Sequence, residues 1–190
     1  MKEKIKRVYE SVEELREAIE SGKLKVNDEF VTKDIDGKAT FICIQDGKAY
    51  HFLRKYTLKD AKPMKSGNFF LLNWLAEEYT HSLPKELQEI LFSPVGLLTE
   101  KEMFGVNEFG IEEEGKQIKW CKKIYNRIAA ESKDAEYTKW YWLQTPTEKT
   151  DDIASSAYFC YCSHYGLSDY YRASGASFCV RPRFILVKRS

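Results

Sequence analysis

An α+β fold is predicted for this chain by three features met in order along it. A β-type pattern punctuated by Asp-Gly pairs runs from residue 28 to 56. Helical periodicity follows between residues 69 and 130, and aromatic-rich β-type runs return after residue 140. Strands and helices in separate stretches, rather than in strict alternation, argue for antiparallel sheets with helices packed on them.

Ser11-Val12-Glu13-Glu14 reads as a capping box that opens a short helix ending at Gly22. Val12, Leu15, Ala18 and Ile19 share one face of it, so residues 1–25 are expected to form an amphipathic appendage lying on a main domain of residues 26–190. Next come Glu29-Phe30-Val31-Thr32, Ala39 to Ile44 and Ala49 to Leu53, separated by Asp36-Gly37 and Asp46-Gly47. Asp-Gly between apolar runs favours tight hairpins, and a three-strand meander is expected.

Helices are expected over residues 69–79, around Leu71, Leu72, Trp74 and Leu75, and over residues 83–92, with Pro84 in the first turn. Thr99 to Glu102 is a second capping box. Residues 117–130 carry Ile118, Cys121, Ile124, Tyr125 and Ile128 at helical spacing, after an acidic, glycine-punctuated loop from Phe104 to Gly115. The expected total is two to four helices. Beyond them Trp140 to Leu143, Ala157 to Cys162 and Phe184 to Val187 read as strands joined by long loops.

Composition narrows the function. With 30 basic and 29 acidic residues the chain has no net field to draw in nucleic acid or anionic membrane. No apolar run spans a bilayer, and the N-terminal residues lack the apolar stretch of a signal peptide, so a cytoplasmic location is expected. Five scattered cysteines, Cys43, Cys121, Cys160, Cys162 and Cys179, fit reduced thiols. The motifs of phosphate-binding loops, zinc-protease helices and nucleophile elbows are absent, and His51, His81 and His164 lie in three separate segments.

One arrangement has metal-site character: alternation along a strand would put Cys160, Cys162 and His164 on one face, with Cys179 approaching from a neighbour. Inward-facing cysteines are more commonly core residues, and neither a metal nor another cofactor is expected. Asp151, Asp152 and Asp169 are calcium-ligand types, and the reading for them is ordinary solvated loop acids.

Seven of the twelve tyrosines lie between Tyr137 and Tyr171, interleaved with Ser155, Ser156, Ser163, Ser168 and Asp169. Tyrosine supplies contact area at small entropic cost and Ser, Asp and Gly supply adaptable hydrogen bonds, the mixture found in binding loops. Tyr161, His164, Tyr165, Asp169, Tyr170, Tyr171 and Arg172 are therefore the candidate ligand-binding residues. Tyr158 and Trp142 are expected in or against the core, and Tyr165, Tyr170 and Tyr171 on the surface.

Several segments resemble an uncharacterised domain family widespread in Firmicutes and their phages. Trp140-Tyr141-Trp142-Leu143-Gln144-Thr145-Pro146 is similar to its W-W-L-R-S-P element, and Cys179-Val180-Arg181-Pro182-Arg183-Phe184 to its closing G-V-R-P-A-F element. Leu72-Asn73-Trp74-Leu75 and Gly96 to Glu102 resemble two further segments. Gln144, Cys179 and Arg183 depart from the pattern. That family is similar to the formylglycine-generating-enzyme and C-type-lectin-like superfamily, which includes the variable proteins of diversity-generating retroelements.

The resemblance implies a C-type-lectin-like body whose loop-rich C-terminal β region binds a ligand. It implies a protein of phage or mobile-element origin and a candidate for incorporation into a phage particle, and the absence of enzyme motifs makes a non-enzymatic role, in the cytoplasm where it is made, the expectation. A protein or a glycan is the expected partner, with no nucleic acid and no membrane insertion. A phage-encoded inhibitor of a host protein is the alternative, and a metal-dependent oxidase of the formylglycine-generating type the second. Trp74, Trp142, Pro146, Arg181 and Pro182 are assigned structural roles, Arg181 as a buried organiser whose planar fork ties loop carbonyls or a carboxylate.

Overall fold

The computed structural model describes residues 6–111, 115–148, 151–175 and 177–188. Residues 1–5 of the N-terminal segment and 112–114 of the acidic loop lie outside the described residues.

The Ser11 box forms: Ser11 Oγ accepts the Glu14 N–H at 3.1 Å and Glu14 Oε2 accepts the Ser11 N–H at 3.3 Å, opening the helix Val12–Glu20. Its Leu15, Ala18 and Ile19 enter the larger of two core clusters, with Val12 packed beside them. The preceding residues Val8–Tyr9 (β1) pair in parallel with Glu29–Asp34 (β2). Gly37–Gln45 (β3) and Ala49–Arg54 (β4) complete the meander.

The first hairpin turn is not the mirror-image type that Asp-Gly suggests. Asp34 pairs with Gly37, so Ile35 and Asp36 occupy the turn, and neither has positive φ; only Gly37, at φ 98°, is left-handed. Asp34 Oδ1 accepts the Asp36 N–H at 2.9 Å, which fixes this turn from its side chain.

Lys62–Pro63 (β5), Lys65–Ser66 (β6) and Phe69–Phe70 (β7) are short, and β6 pairs with β7. The helix expected from residue 69 therefore begins at Leu71–Trp74 and runs through a π-helical turn, Leu75–Tyr79, into Thr80–Ser82. Leu71, Trp74, Leu75 and Tyr79 are its buried face. The helix expected over residues 83–92 is confined to Lys85–Gln88, with Pro84 just outside it. The chain then turns extended, because Phe92 N–H bonds to Ile185 O at 2.9 Å and Leu91 bridges Leu186.

The second box forms too: Thr99 and Glu102 cap Glu100–Phe104, and Gly105 ends it at φ 88°. The long helix expected over residues 117–130 is broken. A 3₁₀ turn, Lys119–Lys122, and one α turn, Ile124–Arg127, are separated by extended Lys123. Side chains replace the missing helical bonds: Asn126 Nδ2 donates to Trp120 O at 2.7 Å and Arg127 Nε to Cys121 O at 2.6 Å.

Tyr141–Pro146 (β8), Tyr158–Cys162 (β9) and Ser168–Arg172 (β10) form an antiparallel three-stranded sheet in the order β10-β9-β8. The stretch expected as a loop through Tyr170 and Tyr171 is thus its edge strand. Ser177–Phe178 (β11) pairs with β5, and Arg183–Val187 (β12) closes the larger sheet, β1-β2-β3-β4-β12. The architecture is mixed α+β, with several small sheets, few helices and no closed barrel among the described residues.

Strand alternation sends side chains to two cores. Phe41, Phe52, Phe184, Trp142, Phe159 and Tyr161 join the larger cluster; Ile44, Leu53, Tyr141, Leu143, Cys160 and Cys162 join the smaller. Both sheets contribute to both clusters.

Two buried arginines lock these layers. Arg54 Nε donates to Asp34 Oδ2 at 2.8 Å, and the same oxygen accepts the Tyr79 hydroxyl at 2.6 Å, joining the meander to the helix above it. Arg181 Nε donates to Arg54 O at 2.9 Å, while its NH1 reaches Asn126 O at 3.3 Å and the Tyr141 hydroxyl at 3.4 Å. The backbone N–H of Arg54 returns a bond to Pro182 O at 2.9 Å.

Removing one member of a buried ion pair leaves the other uncompensated, so Arg54→Ala is expected to destabilise the fold by about 3–5 kcal/mol, read as a lower urea midpoint. Arg181→Ala should also lower the melting temperature, and Arg181→Lys should not restore it, because an ammonium cannot span carbonyls on two segments as a planar fork does; unchanged melting in both variants rejects the organising role.

Acid should weaken the fold through His51 on β4. Burial first, then the nearby Arg183 charge, pushes its imidazole down from 6.5 to about 4. Between those values the unfolded chain binds a proton that the folded chain does not, so this contribution is intact above pH 6.5 and lost as pH falls toward 4. His51→Gln should flatten that limb of a melting-temperature profile; an unaltered limb rejects the assignment.

Candidate functional site

The residues singled out from the sequence do not form one surface. In β10, Asp169 and Tyr171 lie opposite Tyr161 and Phe159, whereas Tyr170 and Arg172 lie opposite Cys160 and Tyr158. Successive strand residues point to opposite faces, so this strand divides Asp169 and Tyr171 from Tyr170 and Arg172. Tyr170 packs with Phe109, ring centroids 5.2 Å apart, and with Tyr158 at 6.1 Å.

On the other face an aromatic row begins in the core and ends in solvent. Buried Trp142 donates Nε1–H to Lys62 O at 2.9 Å and packs on Phe178, centroids 4.6 Å apart. Phe178 in turn touches Tyr161 at 4.7 Å, Trp140 at 5.5 Å and Tyr171 at 5.6 Å. Trp140 lies 5.5 Å from Tyr161 and from His164, its ring within 20° of parallel to each. His164 carries the row on to Tyr165 at 3.8 Å. Its outer members are open: Tyr165 is 66% exposed, Tyr171 44% and Trp140 40%.

Polar contacts fix the row. Trp140 Nε1–H donates to His164 Nδ1, and Thr138 Oγ1 donates to His164 O at 3.1 Å. The Tyr161 hydroxyl donates to Asp169 Oδ2 at 3.0 Å. Burial first, then Asp169, pushes that phenol up to about 12, so it stays a donor. Asp169 Oδ1 accepts the Tyr170 N–H at 2.8 Å, tying up one backbone donor of an edge strand. Gly166, at φ 77°, makes the turn that returns the chain from β9 to β10; a Cβ there would lie 3.0 Å from Ile124 O.

The Cys160-x-Cys162-x-His164 arrangement fails on geometry. Cys160 and Cys162 point into the smaller cluster, with Cys179 packed against it, but β9 ends at Cys162 and the next residues turn, carrying the His164 ring to Trp140 on the other face. Burial pushes the Cys162 thiol up to about 11 and also raises Cys179, so both are neutral thiols near pH 7. Among the described residues, no group of three or more His, Cys, Asp and Glu is placed to hold a metal ion. Asp152 caps the short turn Ile153–Ser155 through the Ala154 N–H at 3.0 Å.

The structural residues sit as their chemistry requires. Trp74 Nε1–H donates to Glu78 at 2.9 Å, Pro146 is the last residue of β8, and Pro182 supplies the carbonyl that Arg54 binds. Gln144 and Arg183, two departures from the resembled motifs, both hold Leu97: Gln144 Oε1 accepts its N–H at 3.3 Å and Arg183 NH2 donates to its carbonyl at 2.9 Å.

Every strand of the aromatic row falls in the C-terminal half, and residues 93–188 match the model of a domain of unknown function, DUF6273. The chain belongs to the DUF6273 family. No curated protein and no solved structure matches it. The DUF6273 match contains Trp140, Tyr161, His164, Tyr165, Asp169 and Tyr171, and also Arg181, which ties the domain to β4.

Sequence reasoning missed two members of the row. Trp140 carries no local signal beyond that of a strand, although its i, i+2 relation to Trp142 puts both on one face. Phe178 is nearly buried and no local pattern marks it as the common contact of four other rings. Also missed was a cleft beside Trp120, for which the alternation of lysines and aromatics from Lys116 to Tyr125 is the available signal.

Proposed function

We propose that this chain is a non-enzymatic ligand-binding protein of phage or mobile-element origin, built on a C-type-lectin-like fold. Its aromatic row from Tyr171 to Tyr165 contacts a protein or glycan partner. The observation that carries this reading is the row itself: exposed rings at one end are continuous, through Trp140 and Phe178, with the packed core. Large exposed aromatics held in place lose little freedom when they bind, and that is how rigid Tyr and Trp anchors work in recognition surfaces. The ring of Trp140, near-parallel to the half-buried His164 and backed by the buried Tyr161, offers a flat apolar face suited to a sugar ring or an apolar side chain, with Asp169 nearby as an acceptor.

The C-type-lectin-like assignment is supported by the separation of a large sheet, closed by the C-terminal strand β12, from a smaller sheet that carries the exposed residues. Burial of Cys160 and Cys162 in an apolar cluster argues against the metal-dependent oxidase alternative. Tyr170 and Arg172, on the opposite face, belong to the rim of the surface at most.

The test compares the native chain with Tyr165→Ser/Tyr171→Ser and, separately, with Tyr170→Ser, by glycan-array binding and by affinity capture from bacterial lysates. All substituted side chains are exposed, so the unfolding free energy should stay within about 1 kcal/mol of the native value. Loss of the partner in the double variant with retention in Tyr170→Ser is the expected result. Equal retention in both moves the surface elsewhere, and the array against the capture decides between glycan and protein.

A further inference from the structure

We propose that the cleft beside Trp120 binds a nucleoside phosphate, a flat-ringed anion of mononucleotide size. This site is built on elements other than those of the aromatic row, and does not depend on the reading of that row. Its volume is about 740 Å³, within the range of small-molecule sites. Three segments enclose it: the turn at Lys25 to Asn27, the β3 irregularity around Ile44 and Gln45, and the broken helix from Gln117 to Asn126. The β3–β4 register shifts between Cys43 and Gln45, and Ile44, Gln45 and Asp46 at this irregularity line the cleft.

Trp120 is held from several directions. Its Nε1–H donates to Asn27 Oδ1 at 2.8 Å, its carbonyl accepts Asn126 Nδ2 at 2.7 Å, and the Arg181 guanidinium stands 5.9 Å from its ring centre. A ring fixed in this way is ready to take a partner without reorganising. Asn27 is the only non-glycine residue with positive φ among the described residues, at 79°, and its N–H is anchored to Cys43 O at 2.8 Å. Asparagine tolerates that conformation, but a turn gains nothing from it that glycine would not supply at smaller cost. What asparagine adds is its amide: Oδ1 engages Trp120, and the NH₂ has no protein partner among the described residues.

Charge completes the site. Lys25, Lys119 and Lys123 line the cleft against a single acid, Asp46, an excess of two positive charges in a chain whose formal net charge is only +1. Lys123 lies 5.6 Å from the ring centre of Tyr125, which is exposed at the mouth. A planar base can stack on an aromatic ring such as the Trp120 indole, a donor amide can read its edge, and flexible ammonium groups can meet a phosphate. A neutral sugar would leave the lysines without a role, and a bare phosphate would leave the rings without one.

The test is isothermal titration of the full chain with the four ribonucleoside monophosphates, with adenosine as the ring without charge and inorganic phosphate as the charge without ring. Saturable binding of at least one nucleotide, about tenfold or more tighter than either control, is expected. Lys119→Glu/Lys123→Glu should weaken it by about tenfold or more, both side chains being exposed and the fold unaffected. Asn27→Gly keeps the left-handed turn but removes the amide and with it the hydrogen bond that holds the Trp120 indole, and should weaken nucleotide binding. No saturable binding at millimolar nucleotide overturns the proposal. So does adenosine or phosphate binding as tightly as the nucleotide, or affinity unchanged in both variants.

Discussion

A buried guanidinium must be surrounded by acceptors, and in this chain two of them stand back to back. Arg54 spends its side chain on Asp34 and on the carbonyls of Tyr56 and Thr57, while its own carbonyl receives Arg181. Arg181 spends the rest of its fork on the broken helix at Asn126 and on the Tyr141 hydroxyl. The meander, the helix that carries Tyr79, the broken helix and the smaller sheet therefore meet at one pair of cations. Losing any of these acceptors leaves part of a buried charge unpaired, so the pair specifies how the layers sit rather than adding a surplus of stability.

That arrangement decides where function can lie. With the smaller sheet pinned through Tyr141, its strands present alternate side chains to two different environments: cysteines and Leu143 toward the smaller core, and Trp142, Tyr161 and Phe159 toward the larger. The aromatic row is the outward continuation of the larger core past the edge of that sheet. The cleft beside Trp120 arises from the same constraint on the other side of Arg181. The guanidinium that organises the interior also backs the indole that walls the cleft. A single buried residue thus supports both exposed surfaces.

Glu100 performs a comparable task for the acidic loop. Fully buried, its carboxylate accepts the Gly110 N–H at 2.8 Å and the Phe109 N–H at 3.3 Å, and it also receives the Ser168 hydroxyl of β10. Gly110 is confined there, because a Cβ would lie 2.3 Å from Thr145 Cγ2. Loop and edge strand are held together from inside, which keeps Phe109 against Tyr170.

Signals that act over a few residues were legible in the sequence. The two capping boxes, the meander, the apolar face of the first helix, the exposure of Tyr165, Tyr170 and Tyr171 and the buried organising role of Arg181 all follow from local pattern or from the fixed chemistry of one side chain. Tertiary structure decided the rest, wherever a distant partner outbid a local preference. The pattern from residue 117 has helical spacing, yet Asn126, Arg127 and Arg181 compete for its carbonyls and break it. The stretch around Tyr170 looks like a loop until β9 offers it a ladder, and pairing then sends its tyrosines to opposite faces. His164 seems to continue the alternation of Cys160 and Cys162 until the strand ends and Trp140 captures its ring. Composition identified the aromatic material for a binding surface; only long-range pairing could choose which rings face solvent together, because neither a strand's partner nor its last residue is encoded in its own few side chains.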